Sequence, residues 1–247
     1  MRLSEAARAL GATVEGADVM LSGVSSDTRT LQGGNLFVAL RGERYDGHRF
    51  LSVAASSGAA AAMVDAGGPS VAAGALPLLV VDDTRLALGR LAAHWRSRFS
   101  MPVVGLTGSS GKTTVKEMLA AILRVAAGGA ADAVLATRGN LNNDIGMPLM
   151  LLELDAAQRY AVIEMGMNHE GEIRYLTTLA RPDVAVVNNA GSAHIEYLGS
   201  EEAIARAKGE IFEGMGAAGT AVINADDRHA PMWRELTQGR RCVDFGL

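Results

Sequence analysis

The chain holds one cysteine, Cys242, among 247 residues, so no disulfide can form within it, in keeping with a reducing compartment. It has no long basic run and a net charge of only −4, which argues against a general nucleic-acid binder. No apolar stretch approaches the roughly 18 residues that a membrane helix needs; Arg124 interrupts the best candidate. The amino terminus, Met1-Arg2-Leu3-Ser4-Glu5, meets an alanine-rich amphipathic pattern instead of a secretory apolar core. Internal repeats and low-complexity tails are missing too. These absences leave the cytoplasm as the expected location, with no nucleic acid and no membrane insertion among the expected partners. What remains is 49% hydrophobic and 20% charged, the composition of a globular protein with a substantial core.

The most informative segment is Thr107-Gly108-Ser109-Ser110-Gly111-Lys112-Thr113-Thr114. It follows an apolar run, Pro102 to Leu106, and precedes a helical pattern with Val115, Met118, Leu119, Ile122 and Leu123 at three- and four-residue spacing. A glycine-rich turn between a strand and a helix directs backbone N–H groups and the positive helix end toward one point, where a phosphate is stabilised. Lys112 is then placed to reach the β/γ-phosphates, and Thr113 to offer its hydroxyl to magnesium. Leu106 stands where the general phosphate-loop pattern has its first glycine.

Two regions are expected. Residues 1–100 contain a short helix capped by Ser4 and ended by Gly11, strands near Leu36–Leu40 and Leu78–Val81, and helices from Phe50 to Ser57 and after Asp83 or Thr84. Proline at 102 marks a boundary. From 101 to 247, strands at 103–107, 133–137, 160–165, 184–188 and 219–224 alternate with helical stretches. That pattern predicts an α/β fold with a mostly parallel sheet covered on both faces, whose ligands gather at the carboxyl ends of its strands. Several strands end in polar residues: Thr137, Glu164, Asn188 and Asn224. Residues 242–247 read as a strand with nothing after it to complete the layer, so the chain is expected to be a piece of a longer protein.

Glu164, closing an apolar strand beside the phosphate loop, suits Mg²⁺, which prefers oxygen ligands shared with phosphates; capping of the next helix is the plainer alternative. His194 taken alone is more simply a structural histidine, because magnesium seldom takes imidazole. Lys208, within a helix, would ordinarily be a solvated charge. The asparagines of the 138–146 loop are turn formers, and the strand end Asn224-Ala225-Asp226-Asp227 could hold a ribose or adenine or merely cap a helix.

In combination and order, these motifs resemble the Mur ligase family: Thr107 to Thr114, Gly139-Asn140-x-Asn142-Asn143-x-Ile145-Gly146, Glu164-Met165-Gly166-Met167, Asn188-Asn189, His194 and Ala207-Lys208-Gly209-Glu210-Ile211-Phe212. The amino-terminal segments Asp27-Thr28-Arg29 and Leu36 to His48 agree with it. The resemblance implies a small α/β domain binding the UDP end of the substrate, followed by a central ATP-binding domain, with a third, carboxy-terminal domain unmatched in the sequence. It is strongest to the member joining D-alanyl-D-alanine to UDP-N-acetylmuramoyl-tripeptide through an acyl phosphate, a monomer in its parent form. The member adding the third amino acid, or an ATP-binding module without ligase activity, are the alternatives.

By that resemblance the catalytic residues are Lys112, Glu164, His194 and Lys208. ATP contacts fall on Gly108, Ser109, Ser110, Gly111, Lys112, Thr113, Thr114, Asn188, Asn224 and Asp226. Substrate contacts fall on Asp27, Thr28, Arg29, Arg41, Gly42, Asp46, His48 and Asn143. Two Mg²⁺ ions would be held by Thr113, Glu164, His194 and Lys208, the last as a carbamate, since a bare ammonium would repel the metal. The 247 residues alone are expected to be inactive in ligation.

Overall fold

In a computed structural model describing residues 1–43, 45–65, 76–192, 195–237 and 239–247, the strands assemble into two separate sheets. The chain divides accordingly into two units, Met1–Trp95 and Arg96–Leu247.

The first unit carries β1 (Thr13–Glu15), β2 (Gly23–Ser25), β3 (Asn35–Val38), β4 (Ala61–Asp65) and β5 (Leu78–Val81), with helices α1 (Leu3–Leu10), α2 (Leu51–Ser56) and α3 (Thr84–Arg96). Strand order is β1-β5-β4-β3-β2; only the β1–β5 pair is antiparallel. Phe37, Ala39, Ala62 and Val64 pack with Leu51 and Ala54 of α2 into one core. Gly11 ends α1 in the left-handed conformation, as its lack of a Cβ allows. Ser4, expected as the cap of α1, lies inside the helix instead. Its N–H and hydroxyl both donate to Asp18, at 2.9 and 3.0 Å, so a carboxylate from the following segment does the capping. For α3 the cap is Asp83, whose Oδ1 accepts the N–H groups of Arg85 and Leu86.

The second unit is an all-parallel sheet of β6 (Val103–Thr107), β7 (Val134–Ala136), β8 (Tyr160–Glu164), β9 (Val184–Val187), β10 (Thr220–Asn224) and β11 (Arg241–Phe245), ordered β11-β10-β9-β6-β8-β7. The chain runs from β6 outward to β7, returns to β8, then passes β6 to build the other half from β9. The winding therefore reverses at β6, and ligands of such sheets bind where it does, at the strands' carboxyl ends. Helices α4 (Lys112–Ala126), α5 (Gly146–Leu151), α6 (Glu172–Ala180), α7 (Ile195–Leu198), α8 (Glu201–Gly209) and α9 (Ala230–Leu236) connect the strands.

The apolar stripe expected on α4 is split. Leu119 and Leu123 pack with Leu106, Ala120, Val134 and Val162, but Met118 and Ile122 are about 60% exposed, while Lys116 is buried at 1%. Leu106, in the place of the pattern's first glycine, is fully buried in that core; the strand simply continues to Thr107.

A tight contact backs the site. The 3₁₀ turn Glu210–Gly214 packs against α6, and a Cβ on Gly214 would fall on the carbonyl and hydroxyl of Thr177. Gly214→Ala is expected to destabilise the fold by about 1–3 kcal/mol, measured as a lower urea midpoint with an unchanged slope.

Candidate functional site

The site grows from the junction of β6 and α4. Gly111 is the N-cap of α4 with φ +72°, a conformation that costs glycine little. A Cβ on Gly108 would sit 3.0 Å from that of Asn188, so the loop lies close against the end of β9. The paired asparagines lash it down. Asn189 accepts the Ser109 N–H on its carbonyl at 3.0 Å and the Ser110 N–H on Oδ1 at 2.9 Å. Asn188 and Asn189 both donate to the Ser110 carbonyl, at 2.9 and 3.1 Å, and Gly191 donates to the Ser109 hydroxyl at 2.9 Å. With the Ser109 and Ser110 amides engaged, the donors for an anion are the unpaired first-turn amides of α4. Lys112 folds over the loop and donates to the Gly108 carbonyl at 2.7 Å. Burial holds its ammonium below the ordinary lysine value, partly offset by the Glu164 charge.

Glu164 ends β8 and is 2% exposed. Its Oε2 accepts from the Thr113 hydroxyl at 3.2 Å and its Oε1 from the Asn142 amide at 2.8 Å. Its own N–H donates to the Thr137 hydroxyl at 2.9 Å. Asn142 also accepts the Gly166 N–H on its carbonyl at 2.8 Å, and a Cβ on Gly166 would press on the Asn142 amide. Sequence reasoning favoured Asn143 in this loop; its Oδ1 accepts the N–H groups of Ile145 and Gly146 at the start of α5. Nothing in the spacing separates the two asparagines, and only the fold shows which one faces Glu164.

Lys208, on α8, is buried, and its side chain makes no hydrogen bond or ion pair with a described residue. Burial, followed by repulsion from Lys112, brings its ammonium down to about 7. The nearby Glu210 is committed elsewhere: it accepts from the N–H groups of Gly171 and Arg174 and pairs with the Arg174 guanidinium at 3.2 Å, while burial raises its pKa. His194 lies outside the described residues.

At the end of β10, Asn224 donates to the Asn188 carbonyl at 3.0 Å, and Asp226 accepts the Leu247 N–H at 2.9 Å. Asp227, in the same strand-end segment, accepts the N–H groups of Ala190 and His229.

Among the described residues no three His, Cys, Asp or Glu side chains converge. Glu164 with the Thr113 hydroxyl is nonetheless a hard oxygen pair at the mouth of an anion site. That suits Mg²⁺, which takes one or two carboxylates and completes its shell with phosphates and water.

The first unit holds a cavity of about 560 Å³ lined by Asp27, Thr28 and Arg29 with Phe37, Tyr45 and Phe50. The Arg29 guanidinium grips Asp27, whose carboxyl is lowered to about 2 by that hydrogen bonding. Arg41, Asp46 and His48 do not line it. Arg41 binds Asp65 through two nitrogens at 3.0 and 2.9 Å. His48, fully buried at its side chain, meets Asp46 through Nδ1 at 2.7 Å and accepts the Asp65 N–H on Nε2, so a neutral ring carries its proton on Nδ1. Gly42 lies against the Tyr45 ring, 2.7 Å from where a Cβ would stand. Of the other lining residues, Phe37, Tyr45 and Gly47 belong to the 36–48 segment already expected in the substrate domain, whereas Ser26 and Phe50 fall outside both that segment and Asp27-Thr28-Arg29.

Lys208 gives stability a pH dependence. Above 10.5 the amine is neutral in folded and unfolded chains; between about 7 and 10.5 only the unfolded chain takes up the proton. Stability therefore falls as pH drops through that window, and the full deficit is present below it. Lys208→Met is expected to flatten this slope, so its advantage in denaturant midpoint over the unsubstituted chain should grow from pH 10.5 down to about 7.

Residues 106–247 match the Mur ligase middle domain, and residues 20–96 the Mur ligase family catalytic domain. The chain is 47% identical to the UDP-N-acetylmuramoyl-tripeptide–D-alanyl-D-alanine ligase of Escherichia coli (strain K12) over 243 residues, covering 98% of this chain and 52% of that protein. Its fold superposes on MurF from Acinetobacter baumannii with a TM-score of 0.88 at 37% identity, covering 98% of this chain and 52% of that one. For MurF ligase from Thermotoga maritima in complex with ADP the TM-score is 0.78 at 34% identity, covering 91% of this chain and 50% of that one. The chain thus spans about half the length of the relatives it matches.

Proposed function

This chain belongs to the Mur ligase family, and we propose on that ground that it provides the substrate and ATP sites of a peptidoglycan-precursor ligase. The reaction is the ATP-dependent joining of D-alanyl-D-alanine to UDP-N-acetylmuramoyl-tripeptide, in the cytoplasm. The observation carrying this reading is Glu164: a buried carboxylate gripped by Thr113 and Asn142 at the mouth of a phosphate loop, in a chain 47% identical over almost its whole length to such a ligase.

In the proposed reaction the γ-phosphoryl group of ATP passes to the tripeptide carboxylate, giving an acyl phosphate and ADP. The dipeptide amine then attacks the acyl carbon, the amine proton is lost and phosphate leaves. Both phosphoryl donor and acceptor are anions, so catalysis depends on positioning and charge neutralisation. The first-turn amides of α4 and Lys112 bind the phosphates; Lys112 would exchange its bond to the Gly108 carbonyl for a phosphate oxygen. Thr113 and Glu164 hold Mg²⁺, which, when bound, screens the phosphate charge. His194 beside a second ion extends the reading by resemblance. Lys208 is the carbamate candidate: an amine near neutrality in its pKa can add to CO₂ with loss of one proton, turning a buried cation into an anionic oxygen ligand. In the first unit the cavity beside Asp27 to Arg29 receives the UDP end, with aromatic side chains offering faces for the base.

Ligation is expected of a chain with the relatives' full length, and not of these 247 residues alone. In such a chain ADP formation should require the UDP-tripeptide and be stimulated by D-alanyl-D-alanine over single amino acids; equal use of single amino acids would reject the dipeptide assignment. Lys112→Ala should cut turnover by about 10²–10³-fold while leaving the melting profile unchanged. Titration of UDP into the 247-residue chain should shift NMR signals of Thr28, Arg29 and Tyr45; shifts confined to Gly108–Thr114 would remove the first unit as the uridine site.

A further inference from the structure

Lys116, which the apolar period of α4 leaves out, is buried, whereas Met118 and Ile122, which it includes, are exposed. Lys116 lies one turn beyond Thr113 on α4, is 1% exposed, and donates from Nζ to the Thr137 carbonyl at 2.6 Å. Its other partner is Glu117 at 2.9 Å, a largely solvated carboxylate. Burying an ammonium is costly unless it is paired and hydrogen-bonded, and an apolar residue could fill the same volume beside Ala120. The bond to Thr137 is therefore what the buried charge achieves.

Thr137 stands just past β7, where the loop carrying Asn142 begins. Its N–H donates to the Val162 carbonyl at 3.1 Å, and its hydroxyl accepts the Glu164 N–H at 2.9 Å. Five residues on, Asn142 donates to Glu164 Oε1. Both of these supports of Glu164 thus leave from the residue that Lys116 holds. The third support, the Thr113 hydroxyl on Oε2, comes from α4 itself, and residues three apart share a helix face. A closed circuit results: Thr113 to the Glu164 carboxylate, the Glu164 backbone to Thr137, Thr137 to Lys116, and Lys116 back through one turn of helix to Thr113.

We propose that Lys116 is a positioning residue that fixes the Glu164 carboxylate against the phosphate loop through Thr137, and so sets how strongly Mg²⁺ assists nucleotide binding. The inference rests on the reading of Glu164 as the metal's carboxylate.

The test is calorimetric titration of ADP into the 247-residue chain with and without MgCl₂, taking the ratio of the two affinities, alongside a thermal melt. Glu164→Gln tests the underlying reading: the unsubstituted chain should bind more tightly with Mg²⁺, and this variant should lose the gain. If it keeps the gain, or if the unsubstituted chain shows none, that reading falls and this inference with it. Lys116→Met should lower the ratio by about 10–100-fold, the usual cost of removing an outer-shell support, with Mg²⁺-free affinity nearly unchanged. Thr137→Val keeps the carbonyl and the side-chain volume but removes the hydroxyl, and should lower the ratio likewise; it decides the matter if Lys116→Met fails to fold. A changed melt with an unchanged ratio in both variants would make Lys116 a brace only and overturn the proposal. Loss in Lys116→Met with no loss in Thr137→Val would overturn the route through Thr137.

Discussion

A carboxylate buried at the end of a parallel strand must be surrounded by donors, or it would not remain charged there. Much of the second unit around Glu164 can be understood from that requirement. The register of β8 against β6 sets Glu164 beside Leu106, directly before the loop. Thr113 arrives because α4 starts at Lys112. Asn142 arrives because the loop after β7 turns back across β8, where its carbonyl accepts the Gly166 N–H and its side-chain amide donates to Glu164 Oε1. The glycine at 166 follows from the same approach, since a side chain would displace that amide.

Two lysines meet at this end of the sheet. Lys112 is half-buried, Lys208 almost wholly buried, and the two repel. Glu164 attracts Lys112, yet its oxygens are already taken by Thr113 and Asn142, and Glu210 faces the amides and guanidinium at the start of α6. Lys112 is thus a poorly solvated cation whose hydrogen bond goes to a neutral carbonyl, and in a medium of low effective dielectric such a cation favours an incoming polyanion. A carbamate at Lys208 would reverse one of these charges and turn repulsion between two lysines into attraction.

The central strands of the second unit were legible as short apolar runs: 103–107, 160–164 and 184–187 are buried along most of their length, and 220–224 at alternate residues. β4 was not, because Ala61 and Ala62 carry little strand preference and look like tight packing; the smallness of Ala62 lets α2 close on Phe37 and Ala39. The helix α4 was legible as a helix but not in its facing. Met118 and Ile122 satisfy an apolar period yet stand in solvent, while Lys116, counted as polar, is inside. Periodicity weighs side chains by type, whereas this helix is rotated by two polar anchors, Thr113 on Glu164 and Lys116 on Thr137. Polar strand ends pointed to the site, but they could not show that Asn142 meets Glu164 while Asn143 caps α5, or that Arg41 and His48 turn toward Asp65 and Asp46 instead of the cavity.

The phosphate loop is held in shape by its own protein. In a loop whose amides are all unpaired, the anion must order the backbone as it binds, and fixing each residue opposes binding by roughly 1–2 kcal/mol. Here Asn189 already holds Ser109 and Ser110, Asn188 bears on Gly108 and Gly111, and Asn224 fixes Asn188 from the next strand. The ordering is done in folding, so more of the interaction with an anion appears as affinity. Lys112 remains the movable part. Its bond to the Gly108 carbonyl is one that a phosphate oxygen can replace at similar distance, and the exchange removes an ammonium from a neutral acceptor to an anionic one, where hydrogen bonds are shorter and stronger. The asparagine lashing and the lysine latch therefore act on different quantities, the first on the cost of ordering the loop and the second on the strength of the contact it makes.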